Sequence, residues 1–169
     1  MRELTVRIKF TKHSLGAVKV SQSGRFVFAR NPNSGNVIFL ATWHQANLKF
    51  AAQVFGQHQE EVKKILWDIN VDGVVQPNSW FRRYFTVTGT GKQRFVLHET
   101  FVPGQIVGLN CVVPSSIPDE NFWGLMRLVG QYRGLSPAKP KEFGHFELVS
   151  IRHRRGSVQQ DADVAAVEN

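Results

Sequence analysis

The chain has a single cysteine among its 169 residues, Cys111. One cysteine cannot form an intrachain disulfide or supply a cysteine-based zinc site. That scarcity suits a reducing compartment. Cys111 lies in the apolar run Val107 to Val113 and reads as an inert core thiol. Long apolar runs are also missing: no stretch approaches the ~18 residues a membrane-spanning helix needs. The first ten residues, MRELTVRIKF, alternate charged and apolar positions, whereas a secretory signal would be continuously apolar. A cytoplasmic protein is expected. Acidic residues are absent between Glu3 and Glu60, which argues against a metal-dependent carboxylate site in the first third. Asp68 and Asp72 have no third carboxylate beside them and read as turn formers. The histidines show no zinc-type pairing, and Gly89-Thr-Gly-Lys92 lacks the four-residue gap of a phosphate-binding P-loop. No cofactor or metal is expected.

What the chain does have is positive charge and a core. Its net charge is +8, with a pI near 10.1. Gly156 to Asn169 holds Asp161, Asp163 and Glu168 and no Lys or Arg, so the preceding body sets 21 positive residues against 10 negative ones. A body this basic points to a polyanionic partner, a nucleic acid ahead of an acidic membrane surface. The 42% hydrophobic content supports a packed interior. The length suits one domain, expected over residues 1–155, with 156–169 as a disordered acidic tail.

Hydrophobic spacing divides the body into elements. Leu4, Val6, Ile8 and Phe10 alternate with Thr5, Arg7, Lys9 and Thr11, which predicts a half-buried strand with one basic face. Asn31 to Gly35 is a turn cluster, followed by the apolar run Val37 to Ala41. Leu48, Ala51, Ala52, Phe55, Val62, Ile65 and Leu66 recur at helical spacing, with Gly56 as a split or kink. Phe81 to Thr88 and Gln93 to Glu99 read as two strands of a hairpin joined through Gly89-Thr-Gly-Lys92. Gln105 to Val113 is a more apolar, central strand. Pro118, Asp119 and Glu120 open a second helix, with Phe122, Leu125, Met126 and Val129 as its stripe and Gly130 and Gly134 at its end. A loop from Arg133 to Gly144 leads to a last strand, His145 to Ile151. With the hairpin as an insertion, the order is β-α-β-β-α-β. The predicted fold is α+β: a ferredoxin-like antiparallel sheet with an inserted hairpin and a glycine-bracketed loop before the last strand.

Two segments carry the binding chemistry. The loop Gly134 to Gly144 holds Lys139 and Lys141, with Arg133 at its start. Glycines allow close backbone approach to an anion, and lysines neutralise phosphate. In Trp80-Phe-Arg-Arg-Tyr84-Phe85 the rings can stack on bases while Arg82 and Arg83 hold phosphates. Arg152, Arg154 and Arg155 follow the last strand and can grip the backbone or solubilise a chain end. Core aromatics, solvated cations and an ordinary helix-to-strand connection are the plainer readings of the same residues.

The order of short motifs resembles the CRISPR-associated RAMP superfamily. The first strand is followed by an Asn-Pro-x-Ser-Gly-Asn-Val-Ile-Phe-Leu turn and a helix opening Trp43-His-Gln-Ala-Asn-Leu-Lys-Phe-Ala-Ala52. Later come Leu125 to Gly130, Gly134 and Phe143-Gly144-His-Phe-Glu-Leu148. The likeness spans roughly residues 1–152 as spaced islands. Pro137, Lys139, Pro140 and Lys141 stand where that family's loop has more glycines and an arginine. The resemblance implies a modified RNA-recognition-type sheet and a noncatalytic guide-RNA-binding role in a ribonucleoprotein effector of antiviral defence, as a repeated backbone subunit or as the cap on the 5′ handle. Its partners would be single-stranded guide RNA, target nucleic acid and other effector subunits, with no membrane. The RNA contacts would come from Lys49, Arg82, Arg83, Arg133, Gly134, Lys139, Lys141, Gly144, Arg152 and Arg154. Two other readings stay open. One is a small metal-independent endoribonuclease with His13 or His44 as acid or base. The other is an interaction protein of the same fold.

Overall fold

A computed structural model describes residues 1–71, 76–77, 79–136 and 142–154. The loop lysines Lys139 and Lys141, and the tail from Arg155 onward, lie outside the described residues.

The first layer is a four-stranded antiparallel sheet. It contains β1 (Arg2–Phe10), β5 (Leu66–Trp67), β8 (Ile106–Val113) and β9 (Phe146–His153), in the order β5-β8-β1-β9. Leu4, Val6, Ile8 and Phe10 point to one face and are fully buried. Their neighbours across β8, Val107, Leu109, Cys111 and Val113, are buried with them. Two helices cover this face, α1 (Ala41–Phe55) through Leu48, Ala51 and Ala52, and α2 (Asp119–Tyr132) through Phe122, Leu125, Met126 and Val129. Each large apolar side chain so buried contributes about 1.5–3 kcal/mol. Strand order and helix placement give the ferredoxin-like α+β fold that the element order predicted. Burial pushes the Cys111 thiol up to about 12, which leaves it an unreactive core residue.

A second sheet holds the inserted hairpin. Its strands β6 (Ser79–Thr86) and β7 (Gln93–Phe101) pair antiparallel in register from Ser79 opposite Thr100 to Thr86 opposite Gln93. Gly89 and Gly91, both at positive φ, turn the chain between them. The other edge of β7 takes β2 (Ser14–Leu15), antiparallel, and β4 (Arg25–Val27), parallel; β3 (Val18–Val20) pairs with β4. These three short strands were not expected from the sequence. Phe101, at the end of β7, joins the two sheets. Its ring lies 5.5 Å from Phe10, 5.1 Å from Phe28 and 5.9 Å from Phe39, centroid to centroid.

Several boundaries differ from the sequence reading. The first helix ends at Phe55, because Gly56 takes a left-handed conformation (φ 77°) and returns its N–H to the Ala52 carbonyl. Val62 and Ile65 belong to a separate short 3-10 turn and its exit, and Leu66 faces solvent from β5. Phe55 is an exposed lid over α2 rather than a core residue: a Cβ on Gly124 would lie 3.2 Å from its ring. Gly130 is inside α2, where the missing side chain lets the Phe146 carbonyl approach; a Cβ there would sit 2.3 Å from that oxygen. Arg152 lies within β9 rather than after it.

Candidate nucleic-acid interface

Period-two alternation sorts the hairpin residues onto two faces. Trp80, Arg82 and Tyr84 share one face, opposite Glu99, Leu97 and Phe95 respectively. Phe81, Arg83 and Phe85 share the other. On the first face the rings and guanidinium groups interleave. The Arg82 guanidinium carbon lies 4.5 Å from the Phe95 ring centroid, and the Tyr84 ring lies 6.0 Å from Phe95. Arg25, brought alongside by the parallel pairing of β4 with β7, lies 5.5 Å from the Trp80 ring. Trp80, Tyr84 and Phe95 remain 48%, 58% and 49% exposed. A contiguous row of exposed rings beside two arginines makes this face a candidate interaction surface.

The second hairpin face is packed around Phe81 and His98, while Phe85, nearer the turn, stays 41% exposed. Phe81 touches the His13 ring at 4.9 Å and Phe143 at 5.4 Å, and the buried His98 ring stacks on Phe26 at 4.8 Å. His98 Nδ1 bonds the Gly16 carbonyl at 2.7 Å. Burial lowers its pKa, opposed by that bond, with Arg83 adding to the lowering.

The open face of the first sheet carries cations but no rings. Cross-strand register aligns Arg152, Thr5 and Asn110 in one row, Ser150, Arg7 and Gly108 in the next, and Glu147, Lys9 and Ile106 in a third. Thr5 donates its hydroxyl to Asn110 Oδ1 at 2.8 Å. Arg7, Lys9 and Arg152 are exposed. Arg154 continues the row past β9, its N–H on the Glu3 carbonyl at 3.0 Å. Among the described residues of this face there is no aromatic side chain, so it can hold phosphates but offers bases nothing to stack on.

The loop expected to cradle an anion has a closed neck. Gly134 and Gly144 meet backbone to backbone, both at positive φ (67° and 74°). Their N–H groups are already committed: Gly134 donates to Val129 at 2.7 Å and Gly144 to the His13 carbonyl at 2.7 Å. Leu135 donates to the Gly144 carbonyl at 2.7 Å, and Asn47 Nδ2 to the Gly134 carbonyl at 2.9 Å. These glycines serve the close approach of two chain segments rather than direct anion binding. Arg133 covers the Phe50 ring at 4.1 Å, and Lys49 is exposed on α1 with its charge acting on Glu60.

The two histidines weighed as catalysts differ sharply. His44 is 3% exposed, stacks on Trp67 at 4.2 Å, and burial lowers its pKa to about 3. It is a neutral core residue that no RNA can reach. His13 is half-buried, with its Nδ1 3.3 Å from the Thr100 hydroxyl and its pKa lowered by burial. No group of three or more His, Cys, Asp or Glu residues suited to a metal occurs among the described residues. No helix among the described residues is long and apolar enough to cross a membrane.

The expected contacts therefore fall in separate places: Arg82 and Arg83 on the two faces of the hairpin, Arg133, Gly134 and Gly144 at the neck, and Arg152 and Arg154 at the open sheet. Lys49 stands apart on α1. Sequence reasoning missed Arg25 and Phe95 as members of the platform. Phe95 was recoverable, because the turn at 88–91 fixes the register that sets it against Tyr84. Arg25 was not, because a parallel pairing across seventy residues leaves no local pattern.

No family model matches the chain, and no curated protein matches it. Among solved structures it is similar to a chain of a type III-B Cmr-beta complex bound to cognate target RNA, with a TM-score of 0.65 and 13% sequence identity. The match covers 90% of this chain and 60% of that one, so the chain spans about three fifths of its neighbour's length. At this identity the likeness is one of fold alone, and it agrees with the ferredoxin-like α+β architecture described above.

Proposed function

We propose that the chain is a noncatalytic RNA-binding subunit of a CRISPR-type ribonucleoprotein effector. It would hold single-stranded guide RNA, along its backbone or at its 5′ handle, beside other effector subunits in the cytoplasm. The observation that carries this reading is the platform of Trp80, Tyr84 and Phe95 interleaved with Arg25 and Arg82. Base–ring stacking is worth ~1–3 kcal/mol per base and tolerates any sequence. Guanidinium groups held against the rings are placed to meet the phosphates between stacked bases. Arg7, Lys9 and Arg152 extend the positive surface onto the open sheet, and Arg83, Arg133, Lys139, Lys141 and Arg154 are further candidate contacts. The fold likeness to a subunit from an RNA-bound effector agrees with the assignment.

Purifying the protein without nuclease and sequencing the nucleic acid that comes with it tests this reading. A discrete RNA with a constant 5′ segment supports it. Protein free of nucleic acid, with no affinity for added RNA at moderate salt, contradicts it.

A second reading has its own support. Val18 and Val20 are exposed on the strands beside Arg25. Aliphatic side chains do nothing for a phosphate or a base, so part of this face suits another protein chain. The interaction-protein reading gives that face wholly to a protein partner. The endoribonuclease reading rests on His13 alone. Incubation of end-labelled RNA in EDTA tests it, since cleavage lost in His13→Ala is what it requires.

A further inference from the structure

A cleft of about 790 Å³ opens between the outer face of α2 and the start of β9, on the edge of the first sheet. Its chemistry comes from Lys12, Trp123, Arg127, Gln131, His145 and Glu147. The fold builds it deliberately tight at the base. Gly130 brings α2 against the Phe146 carbonyl, as described above, and Thr11 and Lys12 both donate their N–H groups to the His145 carbonyl, at 2.8 and 3.3 Å. Trp123, Arg127 and Gln131 follow one another at four-residue spacing, so they line one side of the helix above the strand. Lys12 and Arg127 make no ion pair among the described residues, and no ring or guanidinium group stacks on Trp123 among them. Two cations without an ion pair among the described residues, an open indole face and the Gln131 amide thus converge on one concavity. Its volume lies in the range of about 300–1,000 Å³ usual for small-ligand sites.

We infer that this cleft binds a nucleoside phosphate, with the phosphate between Lys12 and Arg127 and the base flat on Trp123. Gln131 and His145 face the ligand's polar edges. Glu147 offsets one of the two cations, which favours a singly phosphorylated nucleotide over a densely charged polyphosphate. The site is separate from the hairpin platform and does not depend on it. Two sources share this chemistry: a free mononucleotide, and the phosphorylated terminal nucleotide of an RNA strand.

The test is calorimetric titration of the full chain with adenosine and guanosine 5′-monophosphates at physiological salt. Wild type is expected to bind at least one of them. Arg127→Glu and Lys12→Glu, both at exposed positions, are expected to weaken binding about tenfold or more, equivalent to ~1.4 kcal/mol. Trp123→Leu removes the stacking face and is expected to weaken binding about tenfold. Arg82→Glu on the hairpin leaves mononucleotide affinity unchanged, so a failed platform and a failed cleft give different results. In the Arg82→Glu background, a short RNA with a 5′-phosphate that binds more tightly than its 5′-hydroxyl twin and competes with the mononucleotide identifies the strand end as the source. Equal binding of the two RNAs, with the mononucleotide still bound, identifies the free nucleotide. Absence of binding by wild type to every 5′-phosphorylated probe overturns the inference, as does undiminished affinity in both charge-reversal variants.

Discussion

Gly134 and Gly144 lock the two ends of the loop together: a Cβ on Gly134 would lie 2.4 Å from the Gly144 carbonyl carbon, and one on Gly144 would lie 2.5 Å from that of Leu135. Both distances are to backbone atoms, which cannot rotate away. Around this crossing, Ser14 donates its hydroxyl to the Leu135 carbonyl and Leu15 its N–H to Ser136 Oγ. The neck thereby ties β2 to the end of α2 and the start of β9.

Gly134→Ala and Gly144→Ala are each expected to destabilise the protein by at least ~2 kcal/mol, from left-handed strain of ~1–2 kcal/mol plus the backbone collision. For a chain of this size that lowers the melting temperature by roughly 4–8 °C. Gly89→Ala is the control. Gly89 also has positive φ (81°), but a Cβ there meets nothing within 4 Å, so only the strain is felt. Equal melting shifts at the three positions would refute the collision.

His44 predicts a pH dependence of stability with a definite sign. Its folded pKa, about 3, lies below the unfolded value of about 6.5, so between those values the unfolded chain binds the extra proton. Stability is then complete above pH 6.5 and falls as the pH drops toward 3, with a slope approaching ~1.4 kcal/mol per pH unit. His98 and His13 are shifted in the same direction and add to the trend. The Asp119 carboxyl, lowered chiefly by the His153 hydrogen bond and further by Arg2, contributes only around and below the usual carboxylate range. Denaturant titrations at pH 5 and pH 7 isolate the histidines. His44→Phe, which keeps a ring on Trp67, is expected to flatten the difference.

Glu99 holds a buried junction. One carboxylate oxygen accepts the Phe28 N–H at 2.9 Å, the other accepts Arg30, and the Glu99 carbonyl accepts the Gly16 N–H at 2.9 Å. Glu99→Ala leaves the Phe28 N–H buried without a partner and is expected to cost ~1–3 kcal/mol. Arg30, 37% exposed at its side chain, can turn to water and limits the loss. Glu99→Gln keeps an acceptor for Phe28 and is expected to cost less than Glu99→Ala. Chemical denaturation at pH 7 ranks the two, and the reverse order would contradict the assignment.

The parts of this fold that bury one face and wet the other were readable in the sequence. β1 announced itself by strict alternation from Leu4 to Phe10, α2 by Phe122, Leu125, Met126 and Val129, and the hairpin by two strand-like runs around Gly89 and Gly91. The strands from Ser14 to Val27 were not readable. Each is two or three residues long, and Val18 and Val20 point outward, so no period accumulates. β5 has only Leu66 and Trp67, too short to break the helical spacing that ran on past Gly56. The same limits apply to the candidate site. Arg82 and the exposed rings of β6 were visible as a local cluster, but the split of Arg82 from Arg83 needed the strand pleat. The burial of His44 needed the tertiary contact with Trp67.

Fluorescence anisotropy across a salt series most directly tests whether the hairpin platform binds single-stranded RNA. Arg25→Gln with Arg82→Gln removes two phosphate contacts. The slope of log K against log salt should become shallower by about 1.4, at ~0.7 per contact on a single strand. Trp80→Ala with Tyr84→Ala removes stacking but no charge, so affinity should fall by ~1–3 kcal/mol per lost base contact with the slope unchanged. Both variants are expected to retain a folded circular dichroism spectrum. RNA affinity and salt slope that stay at wild-type values in both pairs would contradict the claim.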